Sequence, residues 1–225
     1  MFAGHVGAAL AIARVERRVN VGWLVSAALL LDLILWVLVL LGVESVSIPA
    51  SFGRDHQPLF EFPYSHGLVA ALLWSLLTAA LALIVWARFP LLRTRIAVLS
   101  AVAVFSHWLL DALVHRPELP LAGPASPAVG LGLDEHPALA ITLEALILGA
   151  GLVLFGRGSA LGRGRLLALS GLSVALLALT VVGMTVAPPP PSALAMAASS
   201  LGTLILACAL YGWLGRNAAP SAWDH

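Results

Sequence analysis

Six long runs of apolar residues are the feature that most constrains how this chain can fold. Each is close to the roughly 20 residues that a helix needs to cross a bilayer. Charged residues make up 10% of the chain, whereas soluble domains carry about 25%. A chain so poor in charge cannot cover a water-facing surface. The sequence therefore predicts an all-α, polytopic transmembrane helical bundle, with spans at 21–42, 64–87, 96–115, 137–155, 166–186 and 193–214.

A shorter apolar segment precedes these runs and covers residues 2 to about 19. Its apolar part comes first and the basic residues Arg14, Arg17 and Arg18 follow, which reverses the order of a secretory signal peptide. We therefore expect the segment to be retained. It is expected to form a seventh span, a re-entrant helix or a surface helix.

The arginines predict an orientation. The chain has no lysine, and its arginines alternate between two sets of loops. Because Lys and Arg are enriched in cytoplasmic loops, the richer set and the C-terminus are expected to face the cytoplasm. The arginines are scattered at segment ends and form no stripe, so no nucleic-acid partner is expected. The richer set holds Arg14, Arg17, Arg18, Arg88, Arg93, Arg95, Arg157, Arg163, Arg165 and Arg216, and the other set holds Arg54 and Arg116.

Ionisable residues inside the predicted spans indicate a functional site, since their burial in a membrane is costly. His107, Asp111 and His115 recur at every fourth position and therefore share one helix face. The spans contain no Arg or Lys that could pair with the acids, so a bound metal or protonation must neutralise them. Imidazoles and carboxylates are the usual ligands of zinc and similar divalent metals. The remaining candidates are His5, Asp32, His66 and Glu144.

All these candidates lie before residue 145, which suggests two parts of the chain. Residues 1–156 are expected to form a metal-site helical core with outer loops at 43–63 and 116–136. Residues 157–225 are expected to add two apolar helices that serve packing or homo-oligomerisation. Counted along the helices, the candidates lie in the outer half of the membrane.

Several of these motifs together resemble a known family. A Gly-His pair near the N-terminus, Asp32 in a long apolar run, PYSHG at 63–67 and SHWLLDALVHRPELPL at 106–121 are similar to the predicted membrane-bound metal-dependent hydrolases of bacteria. That family is distantly related to zinc-dependent phospholipase C and to single-strand-specific zinc nucleases. The resemblance covers about residues 1–156. It implies a helical bundle in a bacterial plasma membrane, a zinc centre and hydrolysis of phosphoesters.

The resemblance also implies a ligand set. Asp32, His66, His107 and Asp111 would hold one ion, and Asp111 would bridge to a second ion bound by His5. His115 would contribute to a further site, for which the soluble relatives use a His together with an H-x3-E/D pair. In this chain His136 is followed four residues later by Ala140, and Glu144 lies about 12 Å from His136 along a helix. One or two zinc ions are therefore expected, not three.

These observations lead to a functional hypothesis with two alternatives. The hypothesis is a hydrolase that acts at the outer face on a phosphoester of a membrane lipid or another amphiphile. Its metal would activate water, and Asp111 or Glu144 would bridge metals or accept a proton. One alternative is a transporter coupled to protons or divalent ions, since intramembrane Asp, Glu and His also build proton relays. The other is a non-catalytic membrane scaffold.

Overall fold

The computed structural model describes residues 1–216, and these residues fold mainly into α-helices. Two antiparallel pairs of short strands and one 3₁₀ turn at Leu133–Glu135 lie between the helices. The strands are β1 (Ser45–Ser47) with β2 (Leu59–Glu61), and β3 (Leu119–Pro120) with β4 (Ala128–Val129). The helices are α1 (Ala3–Ala13), α2 (Val21–Ala28), α3 (Leu30–Leu40), α4 (Phe52–Asp55), α5 (Leu68–Val85), α6 (Pro90–Val114), α7 (Pro137–Gly156), α8 (Arg163–Thr185) and α9 (Ala193–Leu214).

Five of these helices, α5 to α9, are long and apolar enough to cross a membrane. They indicate a membrane-embedded, all-α bundle, as the sequence predicted. The predicted count of spans was too high. Residues 21–42 do not form one straight span, because α2 and α3 meet at Leu29 with a bend of 52°. If this bent pair counts as one span, the described residues contain up to six.

The N-terminal helix α1 is not a seventh span. It has 11 residues, or ~16 Å at the rise of an α-helix, about half the hydrocarbon thickness of a bilayer. It is not a surface helix either, because most of its residues, from Ala3 to Ala13, are buried. It packs against α2, α6, α7 and α8. The structure therefore has a half-length helix inside the bundle, and His5 lies on its first turns.

Close packing of glycines places α1 against α7. A Cβ at Gly7 would lie 2.6 Å from the backbone of Leu148, and a Cβ at Gly151 would overlap the carbonyl oxygen of Gly7. Only hydrogen fits at these two positions, so the two backbones approach each other directly. Small residues serve the same purpose wherever membrane helices pack closely.

The C-terminal helices pack onto the rest of the bundle. Helix α9 lies along α2 and α3, and α8 contacts α1 and α7. The Asn20 side chain donates to the Gly212 carbonyl at 2.9 Å, and Ser173 and Tyr211 join α8 to α9 through hydroxyls 2.6 Å apart. These contacts give the two helices a packing role. Homo-oligomerisation through them stays a prediction.

The two ends of the bundle differ. Residues 43–63 and 116–136 meet at one end, which we call the loop end, where Gln57 Nε2 donates to the Asp134 carbonyl at 3.3 Å. At the opposite end, which we call the arginine end, the buried carboxylate of Glu16 accepts two hydrogen bonds of 2.8 Å from Arg18. Arg95 lies 3.5 Å from the same carboxylate.

Candidate metal centre

Five predicted ligands meet in the interior of the bundle, and we call them the central cluster. The side chains of four of them are almost fully buried, at 0–3% exposed, while that of Asp32 is 22% exposed. They come from α1, α3, the turn before α5, and α6. Residues up to 106 positions apart in sequence are thus brought into contact. The cluster consists of His5, Asp32, His66, His107 and Asp111.

In the first half of the cluster, one oxygen each of Asp32 and Asp111 lies near the two Nε2 atoms of His66 and His107. His66 Nε2 and His107 Nε2 are 3.1 Å apart. Asp32 Oδ1 lies 3.5 and 3.7 Å from these two nitrogens, and Asp111 Oδ2 lies 3.4 and 3.1 Å from them. Ligands bound to a tetrahedral zinc ion at 2.0–2.1 Å are separated by about 3.3 Å. The distances in the cluster are close to that value.

The break between α2 and α3 provides the carbonyl group that orients the His107 ring. Because α2 ends at Ala28 and α3 begins at Leu30, the Ala28 carbonyl accepts a hydrogen bond of 2.7 Å from His107 Nδ1. A carbonyl can only accept, so Nδ1 carries the proton. His107 Nε2 is then free to ligate. The same break places Asp32 in the first turn of α3. The bend that the sequence analysis missed therefore builds part of the site.

His66 is oriented through its neighbour. Ser65 Oγ lies 2.7 Å from Glu44 Oε2 and 2.8 Å from His66 Nδ1. Because a carboxylate accepts, the single hydroxyl proton of Ser65 goes to Glu44, and the Ser65 oxygen accepts from His66 Nδ1. His66 Nε2, like His107 Nε2, is then unprotonated in the neutral ring.

The arrangement fits a cation. Two imidazole lone pairs point at each other across 3.1 Å with two carboxylates beside them. Without a positive charge between them these four groups repel one another. The donor set, two nitrogens and two carboxylate oxygens, is typical of zinc sites. Hydrogen bonds to the far ring nitrogens are the usual outer support of such ligands.

The second half of the cluster surrounds the other oxygen of Asp111. Asp111 Oδ1 lies 3.1 Å from His5 Nε2 and 3.8 Å from His115 Nε2. The N-terminal nitrogen of Met1 lies 3.4 Å from the same oxygen. His115 Nδ1 donates to Glu118 Oε1 at 2.7 Å, so in the neutral ring its Nε2 is unprotonated. The two oxygens of Asp111 thus face different sets of nitrogens, as a carboxylate that bridges two ions requires.

The His5 and His107 rings connect the two halves. They stack 3.6 Å apart with planes only 9° from parallel. Among the described residues His5 Nδ1 has no hydrogen-bond partner. His5 therefore lacks the hydrogen bond that His66 and His107 each have at the far ring nitrogen.

A further group lies between the cluster and the loop end. His115, Glu118 and Asp134 each place one possible ligand atom within 4.8 Å of the others. Burial raises the pKa of the Asp134 carboxyl. Asp134 also lines a cavity of about 570 Å³ that includes Arg54, Arg116 and Thr185. The loop end therefore offers a polar cavity next to His115, with Thr185 contributed by α8.

Glu144 lies apart from these groups. Its buried Oε2 accepts a hydrogen bond of 3.1 Å from the backbone nitrogen of Gly4, at the start of α1. Among residues 1–216, Glu144 belongs to none of the three groups of potential metal ligands. Its position indicates that it anchors α1 beside the cluster, and its predicted catalytic role stays a prediction.

The residues of the central cluster were predicted from the sequence, but the groups that hydrogen-bond to their far ring nitrogens were not. Glu44 and Glu118 lie in loops, where an acid ordinarily indicates solvation, and the Ala28 carbonyl gives no sequence signal at all. The one available signal is the serine that directly precedes His66 in PYSHG.

Comparison of the chain with protein-family models, with curated proteins and with solved structures finds no match. The geometry of the site is therefore the basis on which a function can be inferred.

Proposed function

We propose that this chain is a membrane-embedded, metal-dependent hydrolase that acts on a phosphoester of a lipid or another amphiphile. The observation that supports this most directly is the pair of unprotonated Nε2 atoms of His66 and His107, which face each other between two carboxylates. One ion would be held by Asp32, His66, His107 and Asp111, and a second by His5, Asp111 and His115. Zinc is the expected ion.

A divalent ion supplies Lewis acidity and lowers the pKa of a bound water toward neutrality. An ion held by only three residues, as by His5, Asp111 and His115, would keep a position for that water. The side chains of the protein would position the ions, accept a proton and exclude other water. Asp111 would hold both ions at a fixed separation through its two oxygens. Glu144 would accept the proton of the attacking water, because both oxygens of Asp111 would be bound to ions. The buried walls of the cluster would exclude other water from the site.

The exposure of the cluster supports an amphiphilic substrate. The partly exposed side chain of Asp32 lies on α3 between Leu31 and Leu33, so the opening of the cluster lies on an apolar helix. An acyl or polyprenyl chain could remain in the membrane while its phosphoester reaches Asp32.

The loop-end cavity supports a phosphate-bearing substrate. Arg54 and Arg116 line it, and guanidinium groups bind phosphate through two parallel hydrogen bonds. The alternation of arginines along the chain supports an extracytoplasmic position for this end, and the family resemblance supports a bacterial plasma membrane.

A transporter would need a polar route from the cluster to the arginine end. Ser100 lies in that direction, but its hydroxyl donates at 2.7 Å to the Ile96 carbonyl in its own helix. Thr78 likewise donates to the Trp74 carbonyl at 2.7 Å. Since no observation favours transport or a purely structural role, the hydrolase is the function we propose.

The test is hydrolysis by the full chain in detergent–phospholipid micelles with zinc present. The products to be measured are diacylglycerol and the released phosphate ester or inorganic phosphate. We expect wild-type protein to release them and Asp111→Asn to lose at least 100-fold in rate, since it loses the bridging charge. Glu61→Gln is the control, because it is also an acid-to-amide change, and Glu61 lies outside the cluster and accepts from the exposed Ser45 hydroxyl. Equal rates for wild type and Asp111→Asn would contradict the proposal.

A further inference from the structure

Glu44 is a buried acid in the first loop, and it lies outside the proposed ligand set. Only 4% of its surface is exposed. Its Oε1 accepts hydrogen bonds of 2.8 Å from the backbone nitrogens of both Tyr64 and Ser65. Its Oε2 accepts a hydrogen bond of 2.7 Å from the hydroxyl of Ser65. Three donors from one short turn therefore converge on this carboxylate.

The contacts form a chain with a fixed direction. Glu44 takes the hydroxyl proton of Ser65, the Ser65 oxygen accepts from His66 Nδ1, and His66 Nε2 points into the central cluster. Each step leaves the next group with only one compatible proton position. The negative charge of Glu44 therefore determines which ring nitrogen of His66 carries the proton. In these contacts Glu44 touches no member of the central cluster and acts only through Ser65.

We propose that Glu44 is a positioning residue, which holds His66 in the Nδ1–H form through Ser65 and so determines how tightly the centre binds its ion. This inference rests on the proposed metal site and adds a determinant of its affinity. Supporting hydrogen bonds of this kind ordinarily change metal affinity by about 10–100-fold.

The substitution Glu44→Gln separates this role from simple anchoring of the turn. The two backbone N–H groups at Oε1 require an acceptor, so the amide oxygen of Gln occupies that position. The amide NH₂ then faces Ser65 Oγ and donates to it. Because a buried hydroxyl proton without an acceptor is costly, Ser65 is expected to turn its proton toward His66 Nδ1, which favours the ring proton on Nε2. The shape of the turn is preserved, but the hydrogen bonds now run in the opposite direction.

The experiment measures zinc affinity of the full chain in detergent by competition with a fluorescent chelator. Glu44→Gln is expected to bind zinc 10–100-fold more weakly than wild type, with an unchanged thermal midpoint of the metal-free protein. Glu61→Gln is the matched control, because Glu61 lies in the same loop and accepts only from the exposed Ser45 hydroxyl, at 3.1 Å. Its zinc affinity is expected to equal that of wild type.

A second variant and a direct readout cover the case in which Glu44→Gln does not fold. Ser65→Ala removes the hydroxyl that connects Glu44 to His66 and is expected to weaken zinc binding. Ser65→Thr keeps a hydroxyl and is expected to bind zinc as tightly as wild type. Nitrogen NMR of ¹⁵N-histidine in metal-free protein should place the His66 proton on Nδ1 in wild type and on Nε2 in Glu44→Gln.

The outcomes distinguish the two proposals. If wild type binds zinc and both Glu44→Gln and Ser65→Ala bind it equally tightly, the proposed role of Glu44 is wrong. The proposed metal site is not affected by that result. Wild-type protein that binds no zinc would overturn the proposed function itself.

Discussion

His66 and His107 face each other through their Nε2 atoms, 3.1 Å apart, in the interior of the bundle. Each ring is held in place by a hydrogen bond at its opposite nitrogen, to Ser65 Oγ in one case and to the Ala28 carbonyl in the other. In the neutral rings these hydrogen bonds place both protons on Nδ1, so the two unprotonated Nε2 atoms repel each other unless a cation lies between them. Their shared orientation is what a metal ion requires of its ligands.

The two halves of the cluster predict that the ions can be lost separately. His5 contacts only the Oδ1 side of Asp111, whereas His66 contacts the Oδ2 side. We expect His5→Ala to reduce the zinc content of a two-ion centre to one ion, because the first half keeps all four ligands. His66→Ala should remove the ion of the first half. The measurement is zinc per protein after dialysis against metal-free buffer.

Equal losses in the two variants would show that the ions bind as one cooperative unit. His136→Ala serves as the control, because His136 precedes α7 and belongs to none of the three ligand groups among the described residues. Its zinc content should match that of wild type.

The contact between α1 and α7 predicts that alanine substitution at two nearby glycines will have very different effects on stability. Alanine at Gly151 would overlap the Gly7 carbonyl, whereas a Cβ at Gly149 meets nothing within 4 Å. Overpacking of this kind costs about 1–3 kcal/mol. Gly151→Ala should therefore lower the thermal midpoint in detergent by several degrees, and Gly149→Ala should leave it unchanged. Similar midpoints for the two variants would mean that α1 does not pack as described.

Glu16 predicts a pH effect at the arginine end. Hydrogen bonds from Arg18 lower the pKa of the Glu16 carboxyl below its usual value of 4.5. A lowered pKa in the folded state stabilises the protein above pH 4.5, and this stability is lost as the pH falls through the folded value. Since Arg18 is 57% exposed, the contribution is expected to be about 1 kcal/mol or less.

The measurement is the thermal midpoint in detergent from pH 7 down to pH 3, for wild type and Glu16→Gln. The difference between the two proteins should be present at pH 6 and shrink as the pH falls below 4.5. A difference that grows at low pH would contradict this role of Glu16.

The sequence predicted the membrane bundle and the central cluster because both depend on local patterns. Apolar runs identify helices, and His107 and Asp111 share a helix face at a spacing of four residues. The break at Leu29 could not be predicted, since the surrounding LLLDLIL has no proline or glycine and its apolar pattern continues through the bend. The break is stabilised by long-range contacts, among them the bond from His107 to Ala28.

The role of Glu44 was hidden for the same reason. The role of an acid in a loop depends on which residues pack against it, and Glu44 contacts a turn that lies 20 residues later in the chain. The length of α1 was also not predictable, because the apolar composition of residues 2–13 suits a buried helix as well as a membrane span.

The most direct test of the central claim is the metal content of detergent-purified protein, measured by plasma mass spectrometry without chelators at any step. The double variant His107→Ala/Asp111→Ala is measured beside wild type. The account predicts one or two zinc ions per wild-type chain and none in the variant. A wild-type protein without stoichiometric metal, or a variant that retains it, would contradict the account.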